Sequence, residues 1–142
     1  MQKILIANRG EIVIRIAKTC KKLNLCPYGI YSDVDQNSLH IKHCKDAINI
    51  GGRLPQESYL DIVKIIEAAK KLDCDSIHPG YGFLSENQNF AKICKREGII
   101  FIGPSIEAMG LTGDKVKAKK IASTVAPVIE GREVSNERDA LS

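Results

Sequence analysis

Short, continuously apolar runs that alternate with helix-period segments constrain this chain more than any other feature of its sequence. The first, Lys3-Ile-Leu-Ile-Ala7, lacks the polar alternation of a half-exposed strand and predicts one buried on both faces. After a turn at Asn8-Arg9-Gly10, Ile12, Ile16, Cys20 and Leu23 fall on one helical face, and Arg15, Lys18 and Lys22 share another. Further strands are expected at Tyr28-Gly-Ile-Tyr31, Asp46-Ala-Ile-Asn-Ile50, Asp75-Ser-Ile77 and Ile99-Ile-Phe-Ile102.

Between them, Ile62, Ile65, Ile66 and Ala69 fit the i, i+3, i+4, i+7 template, with Ser58 as the expected cap and Asp61 completing its box. Ser85 and Gln88 form an expected capping box for a helix that turns Phe90, Ile93 and Cys94 inward and ends at Gly98. A last helix is expected from Gly113, with Ala118, Ile121, Ala122 and Val125 on one side and Lys115, Lys117, Lys119 and Lys120 elsewhere. Parallel strands need crossovers that cover them. The alternation therefore predicts an α/β fold: a doubly wound, mainly parallel open sheet with helices on both faces and its ligand site at the strands' carboxyl ends.

With 142 residues, 44% of them hydrophobic, the chain can bury a core without staples. Its net charge of +4, from 21 basic and 17 acidic residues, is too small and too dispersed to argue for nucleic acid. The lysines from 115 to 120 lack the interleaved aromatics that would stack bases. The five cysteines form no Cys-x-x-Cys pair and sit near no histidine at a metal-ligand spacing, so they read as reduced thiols, with Cys20 and Cys94 as small core hydrophobes. The N-terminal apolar run is shorter than the roughly 7–15 residues of a signal-peptide core, and no stretch nears the roughly 20 residues of a membrane span. A cytoplasmic protein without membrane or metal is expected.

Three segments carry candidate chemistry. The turn Ala7-Asn8-Arg9-Gly10-Glu11 stands where doubly wound folds place a phosphate loop, yet it lacks the G-x-G-x-x-G run, which disfavours a dinucleotide. Asp33 and Asp35 stand roughly where a ribose-binding acid would, and equally read as ordinary turn acids. His78-Pro-Gly-Tyr-Gly-Phe-Leu-Ser-Glu-Asn87 joins a strand end to a capped helix and presents a histidine, a tyrosine and two slim glycines, which suits a flat ligand or serves turn geometry alone. At Gly113-Asp114-Lys115, free helix N–H groups and an ammonium can face a phosphate, or the lysine is simply solvated.

Taken together, Ile4-Leu-Ile-Ala-Asn-Arg-Gly-Glu-Ile12, the run from His78 to Asn87, and Phe101-Ile-Gly-Pro104 followed by Gly113-Asp-Lys115 resemble the biotin carboxylase family in order and spacing. The resemblance covers residues 2 to about 126. It implies a Rossmann-like domain over 1–112 that precedes an ATP-grasp fold, a helix at 113–126 leading toward it, and a tail or linker at 127–142. It further implies a ligase that uses ATP, Mg2+ and bicarbonate to carboxylate biotin held on a carrier protein or domain, with a carboxyltransferase as further partner.

Lys115 takes the place of the family's phosphate-contacting lysine, while Tyr81 and Gly82, supported by His78 and Glu86, border the biotin side. No catalytic residue is expected within these 142 residues, which on this reading are an inactive fragment that binds no cofactor tightly. Departures are the Val125-Ala-Pro-Val-Ile-Glu-Gly131 tail, where the family continues Gly-Val-Pro, and the stripe Arg15, Lys18 and Lys22, which would repel itself in a homodimer built on the first helix. The other readings are a different ATP-grasp ligase such as carbamoyl phosphate synthetase, a non-catalytic docking or dimerisation module, and a nicotinamide-binding fold. The carboxylated acceptor and any fused carrier are not legible in this sequence.

Overall fold

A computed structural model describes residues 2–112 and 115–129, without the side chains at 112, 115 and 117. The chain divides into two units, 1–106 and 107–142. In the first, β1 (Lys3–Ile6) leads into α1 (Glu11–Lys22), β2 (Cys26–Tyr31), α2 (Leu39–His43) and β3 (Asp46–Asn49). Then come α3 (Ile62–Lys71), β4 (Ser76–His78), α4 (Gln88–Arg96) and β5 (Ile100–Phe101). Helices α5 (Ile106–Thr112) and α6 (Lys115–Ala122) follow.

Among the described residues the sheet has five strands in the order β3-β2-β1-β4-β5. Every pair is parallel, with Ile4 against Pro27 on one side of β1 and Ser76 on the other. The chain winds outward from β1 to β3, then returns to lay β4 on the opposite side of β1. This is the doubly wound α/β order, with its topological switch between β1 and β4.

Alternation along β1 feeds two cores. Leu5 and Ala7 join Tyr28, Ile30 and Ile77 beneath Ile65, Ile66 and Ala69 of α3 and Phe90 and Cys94 of α4. Ile4 and Ile6 point the other way, against Ile12, Val13, Ile16, Ala17 and Cys20 of α1. Each fully buried aliphatic side chain contributes about 1.5–3 kcal/mol, which explains why β1 tolerates no polar residue between Ile4 and Ala7. Burial also pushes the Cys94 thiol up to about 11 and the Cys74 thiol up to about 12, so neither is a thiolate at neutral pH.

Several expected details differ. Ser58 is fully buried and its hydroxyl donates to the Leu54 carbonyl (2.8 Å) at the end of a short 3₁₀ turn, Pro55–Glu57. Asp61 caps α3 instead, accepting from the Lys64 N–H at 3.1 Å. Likewise Asn87, and not Ser85, caps α4 by accepting from the Phe90 N–H at 2.9 Å. Leu23 lies beyond the end of α1 and is exposed. The β5 ladder takes only Ile100 and Phe101, and α2 and α5 were not expected from the sequence pattern. The last helix stops at Ala122, leaving Val125 exposed outside it. No helix among the described residues is long and apolar enough to cross a membrane.

Candidate functional site

The carboxyl ends of β1 and β4 are tied together before either loop begins. Ile6 pairs with His78, and the Ala7 N–H donates to the His78 carbonyl at 2.9 Å. Beyond this point the chains diverge into the turn at 8–11 and the loop at 79–87. A cleft of about 360 Å³ opens between them, lined by Asn8, Arg9, Gly10, Glu11, Tyr81, Gly82 and Phe83. Its position outside the strand ends at the switch point is where open α/β sheets bind ligands.

Asn8 holds the two walls together. Its side chain is almost fully buried, its Nδ2 donates to the carbonyls of Pro79 and Tyr81, both at 2.8 Å, and its Oδ1 accepts from the Arg9 N–H. Gly80 lies against it with φ +70°, and an added Cβ would sit 2.7 Å from the Asn8 amide nitrogen.

Arg9 and Phe83 fasten the walls a second time. The guanidinium lies 5.6 Å from the Tyr59 ring centroid and 5.7 Å from that of Phe83, and the two rings stack at 5.2 Å. Arg9 also pairs with Asp35 at 3.5 Å. Phe83 has φ +41°, a conformation that costs a bulky residue about 1–3 kcal/mol and that these ring contacts offset.

Asp35 accepts hydrogen bonds from the hydroxyls of Tyr59 (2.8 Å), Ser32 (2.8 Å) and Ser38 (3.3 Å). Burial pushes its carboxyl up, but these bonds and the Arg9 charge outweigh it and hold the group below the usual carboxylate range. Burial, reinforced by the Asp35 hydrogen bond, pushes the Tyr59 hydroxyl up to about 12. Asp35 thus anchors the cleft residue Arg9 together with Tyr59, with its oxygens already engaged.

His40 of α2 is buried behind the same turn. Its Nε2 lies 3.2 Å from the Ile30 carbonyl and its Nδ1 3.4 Å from the Gly10 N–H, which fixes the neutral tautomer with the proton on Nε2. Burial lowers its pKa, with Arg9 adding to the effect, while the Ile30 carbonyl and Asp35 oppose it. Because the folded pKa is depressed, this stabilisation is complete above the unfolded value of about 6.5 and is lost as pH falls toward the folded one. The melting temperature is expected to fall as pH drops below about 6.5, with stability changing by at most about 1.4 kcal/mol per pH unit from this group. Calorimetry on wild type and on His40→Gln checks it: the substituted chain should show a shallower dependence, keeping the part contributed by His78, whose pKa is lowered in the same sense.

The sequence-selected residues separate in space. Tyr81 and Gly82 line the cleft, with Gly82 at φ +65°. The exposed Tyr81 donates its hydroxyl to the Glu11 carboxylate at 2.6 Å. His78 stands half-buried at the end of β4, where its Nδ1 accepts from the Gly80 N–H at 3.0 Å and shapes the loop. Burial, and then the Arg15 charge, lowers its pKa. Glu86 is exposed and does not line the cleft. Lys115 opens α6 in the second unit, and its side chain, like residues Gly113 and Asp114, lies outside the described residues. Arg15, Lys18 and Lys22 are exposed along α1. Among the described residues no group of three or more His, Cys, Asp or Glu side chains is placed to hold a metal ion.

The side-chain work of Asn8, Arg9 and Glu11 in this wall is not predicted by the sequence, which marks their turn only as a phosphate-loop position without the G-x-G-x-x-G run. Their position directly after the first buried strand was the available signal.

The cleft's two walls fall within the matched part of a known family. The model of the biotin carboxylase N-terminal domain matches residues 1–109. The biotin carboxylase of Halalkalibacterium halodurans is 50% identical over 135 residues, covering 94% of this chain and 30% of its own length. The pyruvate carboxylase of Bacillus subtilis is 50% identical over 133 residues, covering 92% of this chain and 12% of its own. A crystal structure of a biotin carboxylase–β,γ-ATP complex from Campylobacter jejuni superposes with a TM-score of 0.89 at 48% identity, over 92% of this chain and 30% of that one. The chain thus spans less than a third of the length of these relatives. A family model matched over residues 1–109, about half of the aligned residues in common and a shared fold lead to one assignment: this chain belongs to the biotin carboxylase N-terminal domain family.

Proposed function

We propose that this chain is the N-terminal part of a biotin-dependent carboxylase, which in its full length uses ATP, Mg2+ and bicarbonate to carboxylate biotin on a carrier protein or domain. The match of the family model over residues 1–109 carries this reading. The cleft at the β1–β4 switch supports it, since its wall contains Tyr81, Gly82 and Phe83 of the His78–Asn87 run through which the sequence resembles the family.

On this reading the described residues bind and orient. Tyr81 and Gly82 face the biotin side, and His78 holds the loop through Gly80. Glu86 supports the loop from outside the cleft. Lys115 supplies a fixed cation to the nucleotide phosphates, favouring the charge that develops during phosphoryl transfer. Magnesium, bicarbonate and the proton-transfer groups belong to the remainder of the full-length protein. A carboxyltransferase receives the product, and the basic face of α1 is available for self-association only where acidic residues of that remainder oppose it.

The test is ATP-dependent fixation of bicarbonate onto free biotin by the full-length protein, by this chain, and by full-length Lys115→Ala. Fixation by the long form alone is expected, with the substitution lowering kcat/KM for ATP roughly 100-fold. ATP turnover that ignores biotin would move the assignment to another ATP-grasp ligase.

A further inference from the structure

We propose that Glu11 is a positioning residue for biotin recognition: its carboxylate, at the first turn of α1, holds the Tyr81 hydroxyl across the mouth of the cleft and sets the ring against which the ligand docks. The inference rests on the carboxylase reading and adds to it a residue outside the His78–Asn87 run.

Tyr81 is gripped at both ends by the opposite wall. Its backbone carbonyl accepts from the buried Asn8 amide at 2.8 Å, and its hydroxyl donates to Glu11 Oε1 at 2.6 Å. Between these points the ring is solvent-exposed along the cleft. An exposed tyrosine ordinarily samples several rotamers, and fixing one costs entropy at the moment of binding. A short bond to a charged acceptor settles that choice beforehand. Glu11 itself is oriented by its place in the first turn of a 12-residue helix, where the N-terminal dipole favours a carboxylate. The same hydrogen bond, followed by the Glu11 charge, raises the Tyr81 pKa and keeps its hydroxyl protonated as a donor.

Glu11 acts through Tyr81, so its effect should appear in the KM for biotin and not in the KM for ATP. In the full-length protein, with free biotin as the probe, Glu11→Ala and Tyr81→Phe are each expected to raise the KM for biotin roughly tenfold, with kcat and the KM for ATP within about twofold of wild type. Glu11→Gln, whose carbonyl accepts the same hydroxyl, should stay within about threefold of wild type. The double variant should match the single ones, because both break one contact. Tyrosinate absorbance gives a readout independent of turnover: one tyrosine should titrate at lower pH in Glu11→Gln than in wild type. An unchanged KM for biotin in Glu11→Ala, or effects that add in the double variant, overturns the inference while leaving the carboxylase reading standing. A wild-type protein without biotin-dependent turnover overturns that reading before any variant is compared, and the inference with it.

Discussion

Replacing Tyr59 by alanine is expected to destabilise the chain by about 3–5 kcal/mol, the largest loss of any single substitution considered. Tyr59 is fully buried in the core shared with α3 and α4, yet it also stacks on Phe83, lies under the Arg9 guanidinium, and bridges Ser32 to Asp35. Its hydroxyl accepts from the Ser32 N–H at 3.1 Å and donates to Asp35 at 2.8 Å. Tyr59→Ala removes the ring and leaves the ring contacts of the strained Phe83 unmade; Tyr59→Phe keeps the ring and leaves a buried N–H and a carboxylate oxygen short of a partner, costing about 1–3 kcal/mol. Urea unfolding followed by far-ultraviolet circular dichroism separates the two. A Tyr59→Phe chain that loses as much as Tyr59→Ala would mean that the hydroxyl, and not the packing, dominates.

Gly80→Ala is the second large effect, at about 2–4 kcal/mol. At φ +70° an alanine pays about 1–2 kcal/mol for the left-handed conformation. Its Cβ would in addition stand 2.7, 3.1 and 3.2 Å from Nδ2, Cγ and Cβ of Asn8, a nearly buried side chain held by three hydrogen bonds that cannot simply swing away. The walls of the cleft must part, so cleft geometry and stability should suffer together. Gly82→Ala is the control: its φ of +65° carries the same backbone cost, but no atom lies within 4 Å of the added methyl. Unfolding should therefore show the smaller loss for Gly82→Ala; equal losses would deny the Asn8 contact its role.

The sheet was legible because burial leaves a mark on composition. Ile4, Leu5 and Ile6 are all buried, so a run without polar residues announced a central strand before its neighbours were known. Helices α1, α3 and α4 followed from spacing alone. The caps misled because Ser58 and Ser85 sit in turns ahead of the helices: the Ser58 hydroxyl bonds the Leu54 carbonyl, and Ser85 ends a turn in which its N–H bonds the Gly82 carbonyl, while Asp61 and Asn87 stand at the helix starts. Helix α2 has five residues, too few for periodicity to register, and its most buried side chain is a histidine.

The site was half legible. Tyr81 and Gly82 stood out because glycines beside an aromatic residue are unusual in a turn. Asn8 and Glu11 did not, because what they touch lies about 70 residues further along the chain. No local pattern states that β4 returns to the flank of β1.

That return also orders events as the polypeptide forms. A nascent chain that has emerged only as far as β3 can already pair β1 with β2 and β2 with β3, and can lay α1 over them. It cannot own a cleft. Joining β4 to β1 closes a loop of some 70 residues, an entropic cost offset by the packing of α3 and α4, the β1–β4 ladder and the Asn8 hydrogen bonds. The second wall of the cleft can therefore form only once β4 has been made and covers the free edge of β1. Until then that edge, with its unpaired N–H and carbonyl groups, is the part of the young chain most open to mispairing with another copy.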